Sequence, residues 1–136
     1  MARCNNIRLP LAALMLAGVV SSPVAHAATP TELEAAYTAQ AGAPVNPDRG
    51  RALFTAPHGR EWRCSSCHGA VPTQAGNHAA TGKPIAALAP AFNAERFTDA
   101  AKVEKWFRRN CNDVVGRECS AAEKADVLAW LITLNK

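Results

Sequence analysis

Two cysteines and a histidine with a fixed spacing stand near the middle of the chain, where Cys64-Ser65-Ser66-Cys67 is followed directly by His68. Thiols three residues apart on one helical turn can reach the two vinyl groups of a single porphyrin. The histidine after the second thiol is then held under the iron, where an imidazole nitrogen can bind the metal. The spacing therefore predicts one covalent haem c and its iron, with thioether bonds from Cys64 and Cys67 and with His68 as the proximal ligand.

Two other uses of such a cysteine pair have to be weighed. A thioredoxin-like redox centre and one half of a zinc site both use C-x-x-C. The histidine that follows the pair, the absence of a second C-x-x-C from the sequence and the export signal described next argue against both.

The N-terminus has the pattern of a secretory signal. Arg3 and Arg8 precede an apolar run from Leu9 to Val20, and the small residues of Ala25-His26-Ala27 follow. We expect residues 1–27 to be cleaved and residues 28–136 to form one periplasmic domain with no stable membrane insertion. An uncleaved anchor is the alternative, but the apolar run is short for a membrane span. Cys4 precedes the run, which argues against lipid-anchored cleavage at a cysteine.

Charge and cysteine content constrain the exported domain further. The formal net charge is +4 for the whole chain and falls to +2 when Arg3 and Arg8 are removed, and two haem propionates would cancel it. No basic run stands out, so nucleic acid is not an expected partner. Cys111 and Cys119 remain after haem attachment and can close a small disulfide loop in an oxidising compartment, which would stabilise the fold by roughly 2–3 kcal/mol.

The second axial ligand of the iron is the open question. Both methionines of the chain, Met1 and Met15, lie in the predicted leader, so methionine ligation of the mature protein is excluded. The remaining candidates are a histidine, a lysine, an amide or no protein ligand. His58 is close to His68 in sequence and is not expected to reach the opposite haem face. His78 belongs to a long loop and could reach it, or could simply be an exposed loop residue.

An asparagine in the penultimate helix is the amide candidate. Val103, Trp106, Phe107 and Asn110 have the spacing of one apolar helical stripe, and Asn110 occupies a place where another apolar residue is expected. A buried amide needs a partner, which can be a backbone carbonyl at the helix end or the iron. A Cys111–Cys119 bridge would hold this asparagine against the start of the last helix.

The remaining sequence predicts an all-α domain of about four or five short helices. A mostly irregular segment over residues 70–90 suggests a loop that covers a cofactor, and no stretch predicts a strand. Helices are expected at Glu32 to Gln40 after a Thr31/Glu34 capping box, Pro47 to Phe54, Asp99 to Asn110 after Thr98, and from a Ser120/Glu123 capping box to Leu134.

These features resemble a known family. Gly50 and Phe54 ahead of the C-x-x-C-H turn, with Trp130 in the last helix, resemble class I cytochrome c, whose first and last helices cross at a glycine packed by aromatic residues. More specific stretches resemble the sphaeroides haem protein family of oxygen-binding cytochromes c, domain of unknown function 1924, over nearly all of the mature chain. They are KWFRRNC at 105–111, the cysteine at 119, LAWL at 128–131, TGKPI at 81–85, LAP at 88–90 and RFTD at 96–99.

The resemblance implies a conditional iron ligand. It makes His68 the proximal ligand and Asn110 the distal ligand of a high-spin haem, with the Cys111–Cys119 bridge beside it. The asparagine leaves on reduction and opens a site for oxygen or nitric oxide. A neutral amide oxygen is a hard, weak donor that should prefer ferric to ferrous iron, which is consistent with such release. The resemblance also implies a redox partner, in the form of a dihaem cytochrome c and a membrane cytochrome b.

Three functions are consistent with these features. The first is a redox protein that binds a small gaseous ligand at its iron. The second is an electron shuttle with His68 and His78 as axial ligands and no gas binding. The third is an enzyme of a peroxidase-like or nitric oxide-consuming kind, which is the least supported because no catalytic acid–base pair stands out. Lys83, Lys102, Lys105 and Arg108 could steer an acidic redox partner, and Lys83 or Arg96 could pair with the haem propionates.

Overall fold

The computed structural model describes residues 27–135, so nearly all of the predicted leader lies outside the described residues. This part of the chain is mostly helical, as predicted, with one small antiparallel hairpin that the sequence did not predict. Its helices are α1 (Pro30–Ala41), α2 (Pro47–Thr55), α3 (Cys64–His68), α4 (Ala100–Val114) and α5 (Ala121–Thr133); its strands are β1 (Gly76–Asn77) and β2 (Pro84–Ile85), and a short 3-10 helix spans Pro90–Phe92.

The start of α1 corrects one predicted cap. Thr29, and not Thr31, is the N-cap, and its hydroxyl accepts a hydrogen bond from the backbone N–H of Glu32 at 3.2 Å. The Glu32 carboxylate accepts in return from the backbone N–H of Thr29 at 2.8 Å. Pro30 fits the first helical position because its fixed φ suits a helix and its missing N–H needs no partner there. The helix therefore begins two residues before the expected capping box.

The bounds of α4 also differ from the prediction. Asp99 is the N-cap, with its side chain accepting from the backbone N–H of Lys102 at 3.0 Å, whereas the Thr98 hydroxyl donates to the Glu95 carbonyl. The helix continues beyond Asn110 to Val114, because no glycine or proline interrupts it before residue 116. The caps predicted at Asn46 for α2 and at Ser120 for α5 are confirmed.

Helix α5 is the centre of the domain. Its residues 124–131 are all buried, and both α1 and α2 pack along it. At the crossing with α2, a Cβ on Gly50 would overlap the carbonyl group of Asp126, so only glycine permits this approach. The glycine crossing is made by α2, which is the second helix of the described chain, and α1 adds a further helix to the same core.

Helix α4 is attached in a different way. The backbone of α4 lies close to the backbone of the other described elements at only a few points. Side chains therefore hold α4 to the core. Val103 is buried with Leu33, Tyr37 and Leu128, and the partly buried Phe107 packs against the same cluster. Within residues 27–135, no helix has the length and apolar character needed to cross a membrane.

Candidate functional site

The C-x-x-C-H sequence forms one helical turn, as predicted. Helix α3 consists of Cys64–His68, and both cysteines are free and partly buried on that turn. The Ser66 hydroxyl accepts a hydrogen bond from the backbone N–H of Arg63 at 3.0 Å, which stabilises the start of the turn. Gly69 ends it with a φ of 78°, a backbone conformation that favours glycine.

His68 is held in an aromatic environment. Its ring lies 6.0 Å from the ring of Phe54, which in turn packs 5.0 Å from Trp130 on α5. Burial, and to a smaller extent the positive charge of Arg96, lowers the pKa of His68 to about 4. The imidazole is therefore neutral near pH 7, which is the protonation state that a metal ligand requires.

The small hairpin packs against the second cysteine. A Cβ on Gly76 of β1 would overlap the carbonyl oxygen of Cys67, so the absent side chain permits close contact between hairpin and turn. The backbone N–H of Ala79 donates a hydrogen bond to Cys67 Sγ at 3.2 Å. Neither contact was predicted from the sequence, and the glycine in the long loop is the one signal that was available.

The donor set fits haem c. Two thiols lie on one turn, the next residue is a neutral imidazole, and the hairpin backbone closes against the second thiol. Burial raises the pKa of the Cys64 thiol to about 11, so this sulfur carries no charge at neutral pH. Cys64 and Cys67 can hold the porphyrin through thioether bonds, and His68 can hold its iron.

Asn110 lies in the last turns of α4 but is not buried. The prediction that it continues the buried stripe is wrong, because the inward line of α4 consists of Val103, Phe107 and Cys111. Asn110 lies on the flank that it shares with Trp106, which is 44% exposed. In the part of the chain that the structure describes, the Asn110 side chain has no hydrogen-bond partner. Its amide oxygen is therefore free to bind a metal ion.

The two other histidine candidates have different surroundings. His58 Nε2 lies 2.8 Å from the carbonyl oxygen of Leu53, which ties this ring to the end of α2. His78 is exposed in the connection between β1 and β2, directly before Ala79, whose N–H contacts Cys67. His78 therefore belongs to a segment that packs on the cysteine turn, whereas Asn110 belongs to a separate helix.

The predicted disulfide is confirmed. Cys111 at the end of α4 is bonded to Cys119, directly before α5, with a Cα–Cα distance of 5.7 Å. Within the same loop region, Arg117 forms an ion pair of 2.6 Å with Glu123 on α5. The residue after Asn110 is therefore fixed covalently to the start of the central helix.

Of the two suggested propionate partners, Arg96 is engaged in hydrogen bonds within the fold. Arg96 donates from Nε to the carbonyl oxygen of Ala87 at 2.9 Å and from Nη2 to that of Ala86 at 2.7 Å. It thereby fixes the chain just before the 3-10 helix and brings its charge near His68. Lys83 is exposed beside β2. Pairing of either residue with propionates stays a prediction.

The fold and the C-x-x-C-H turn together define a helical c-type cytochrome whose cofactor is covalent haem c. Residues 40–131 match the family described as "Domain of unknown function (DUF1924)". The cytochrome c-type protein SHP of Cereibacter sphaeroides is 51% identical over 123 residues, which cover 87% of this chain and 95% of that protein. Cytochrome c'' of Methylophilus methylotrophus is 47% identical over 83 residues, covering 61% of this chain and 58% of that protein.

Solved structures agree with this assignment. The structure described as oxidized SHP, an oxygen-binding cytochrome c, superposes with a TM-score of 0.71 and 53% identity, covering 76% of this chain and 95% of that one. The crystal structure of oxidized cytochrome c'' superposes with a TM-score of 0.68 and 38% identity, covering 79% and 95%. The chain belongs to the DUF1924 family, as its sequence predicts.

Proposed function

We propose that this protein is a periplasmic monohaem cytochrome c that accepts electrons and reversibly binds a diatomic ligand, oxygen or nitric oxide. Haem c would supply a redox-active iron. His68 would bind this iron, and Asn110 would bind it as well only while the iron is ferric. The observation that carries the proposal is the exposed, unpartnered amide of Asn110 within residues 27–135, in a chain whose residues 28–136 contain no methionine.

The chemistry of the two ligands supports redox-dependent exchange. The neutral imidazole of His68 is held by Phe54 and is a good donor to iron in both oxidation states. The amide oxygen of Asn110 is a harder and weaker donor, so its bond should weaken when the iron gains an electron. Release of this amide would leave room for a small ligand at the iron, and the disulfide at Cys111 would keep the end of α4 attached to the start of α5.

Two relatives support this reading through what is described for them. SHP is described as an oxygen-binding cytochrome c. A solution structure of cytochrome c'' from Methylophilus methylotrophus, 38% identical with a TM-score of 0.66, is described as giving insight into haem-ligand detachment. Detachment of a haem ligand and binding of oxygen are therefore each described for a protein that is similar to this chain in fold and sequence.

The packing of the N-terminal residues is compatible with cleavage before Ala28. Ala28 packs partly buried against the core, and its backbone nitrogen donates a hydrogen bond to the Thr98 carbonyl at 3.0 Å. A cut before Ala28 would retain every described residue that packs in the core, and the new amino group could keep this hydrogen bond.

We propose that electrons reach the haem from a dihaem cytochrome c and a membrane cytochrome b. We also propose that nucleic acid is not a partner of this protein.

Carbon monoxide titration of the reduced holoprotein tests the proposal, because this gas binds only where ferrous iron has an accessible axial position. Rapid saturation is expected for the wild type. Asn110→Ala should change the ferric absorption spectrum, whereas the matched variant Asn112→Ala should not, because that exposed amide is bonded to the Arg108 carbonyl. Absence of carbon monoxide binding would indicate a plain electron shuttle, and unchanged ferric spectra together with unchanged gas affinity in Asn110→Ala would refute ligation by this residue.

A further inference from the structure

The helix that bears Asn110 depends on side chains for its position. Helices α1 and α2 lie close along α5, whereas the backbone of α4 lies close to the other described elements at only a few points. Such a helix can shift or rotate when a few side-chain contacts change. The contacts that hold α4 are therefore the ones that decide where Asn110 lies.

One polar cluster joins α4 to both neighbouring helices. Glu104 of α4 accepts a hydrogen bond from Lys124 Nζ of α5 at 2.6 Å and another from the Tyr37 hydroxyl of α1 at 2.9 Å. Lys124 Nζ also lies 5.4 Å from the centre of the Tyr37 ring. The Lys124 side chain is only 11% exposed, so its charge has little access to water and depends on Glu104. We call these three residues the α4 clamp.

The α4 clamp is connected to Asn110 along one helix. The Tyr37 ring meets the ring of Phe107 edge-on, with the centroids 5.9 Å apart. Phe107 lies one turn before Asn110, and Cys111 with its disulfide lies directly after it. Asn110 is thus bracketed by a non-covalent attachment on one side and a covalent attachment on the other.

We propose that Tyr37, Glu104 and Lys124 are positioning residues for Asn110 as the sixth iron ligand. They fix the position of α4 along its axis and its rotation about that axis, and so determine how firmly Asn110 binds ferric iron. The inference rests on the proposed function and names the contacts that tune it. Loosening the clamp weakens Asn110 as a competitor, so an added ligand binds ferric iron more tightly. Contacts elsewhere in the core are expected to change the stability of the protein but not the affinity of ferric iron for an added ligand.

Three variants of the full holoprotein test the inference. Glu104→Ala removes both hydrogen bonds, and Glu104→Gln keeps an acceptor while removing the charge. Arg49→Gln is the matched control, because Arg49 forms an ion pair of 2.7 Å with the buried carboxylate of Asp126 on α5 and donates its other described side-chain hydrogen bond to the Pro44 carbonyl. The measurements are cyanide affinity of the ferric protein, the ferric absorption spectrum and the denaturation midpoint.

Glu104→Ala is expected to raise the cyanide affinity about threefold to tenfold and to shift the ferric spectrum towards that of Asn110→Ala. Glu104→Gln should show a smaller change in the same direction. Arg49→Gln should lower the midpoint and leave cyanide affinity and spectrum unchanged. If Glu104→Ala does not fold, Tyr37→Phe, which loses one hydroxyl, should still raise the affinity measurably.

Equal cyanide affinity in the wild type, the folded clamp variants and Arg49→Gln would overturn the inference, because the cluster would then contribute to stability alone. The ferric measurements separate this failure from failure of the proposed function. The latter is decided by carbon monoxide binding to the ferrous wild type and by the ferric spectrum and gas affinity of Asn110→Ala, none of which depends on a clamp variant.

Discussion

Gly50 of α2 lies directly against the backbone of Asp126 in α5, at the crossing of the two helices. The same crossing places Phe54, one turn later on α2, between Trp130 and His68. The geometry of the proximal ligand is therefore coupled to a contact that only glycine permits.

Gly50→Ala is expected to destabilise the protein by about 3 kcal/mol, because the added methyl overlaps the Asp126 carbonyl and lies 2.7 Å from the Val127 nitrogen. Denaturant unfolding of the ferric holoprotein measures the change. Arg51→Ala, an exposed change on the same helix, is the control and should have little effect. A Gly50→Ala protein as stable as this control would show that the crossing can open at no cost.

Gly76→Ala should reduce covalent haem incorporation. The new methyl group would overlap the Cys67 carbonyl and displace the hairpin from the cysteine turn, together with the N–H of Ala79 that contacts the sulfur. The ratio of bound haem to protein in purified material measures this loss. Asn77→Ala, the exposed neighbouring position, controls for a general effect of substitution in the hairpin. Equal haem content in the two variants would contradict the role given to this contact.

The Arg117–Glu123 ion pair is expected to make the stability of the fold decrease at acidic pH. The hydrogen bond from Arg117 is the main factor that lowers the pKa of Glu123 to about 2 in the folded protein, from an ordinary value of 4.5. A carboxyl with a depressed folded-state pKa stabilises the fold above its unfolded pKa, and this contribution disappears as the pH falls from 4.5 towards 2.

Glu123→Gln should therefore lose less stability than the wild type when the pH falls from about 6 to about 2.5. The partial exposure of the pair keeps the difference near 1 kcal/mol or below, at about the level of a surface ion pair. Thermal unfolding at the two pH values measures it. Glu61→Gln, an exposed substitution, is the control, and identical acid-induced losses in Glu123→Gln and the wild type would exclude the stabilising pair.

His78→Ala should leave the ferric and ferrous absorption spectra unchanged. The exposed His78 belongs to the hairpin that packs on the cysteine turn, and within the described residues its side chain makes no hydrogen bond that holds the fold. The variant is compared with Asn110→Ala under the same conditions. A spectral change in His78→Ala, with none in Asn110→Ala, would favour the electron-shuttle alternative with two histidine ligands.

Predictions from the sequence are confirmed where a short segment of the chain is sufficient to define the local structure. The caps at Asn46 and Ser120, the single turn of α3 and the Cys111–Cys119 pair are confirmed. The predicted cap of α1 is wrong, because Thr29 and Thr31 both precede a glutamate by three residues and Pro30 favours Thr29. Helical spacing is also ambiguous at the edge of a stripe, which explains the misplacement of Asn110.

The sequence by itself determined the class of the protein, because haem attachment needs only two thiols and an imidazole on one turn. Tertiary structure decided how the site is supported. The contact of Gly76 with Cys67, the crossing at Gly50 and the attachment of Glu104 to Tyr37 and Lys124 join residues far apart in the chain. Such contacts depend on how the elements pack, and no local pattern of residues encodes them.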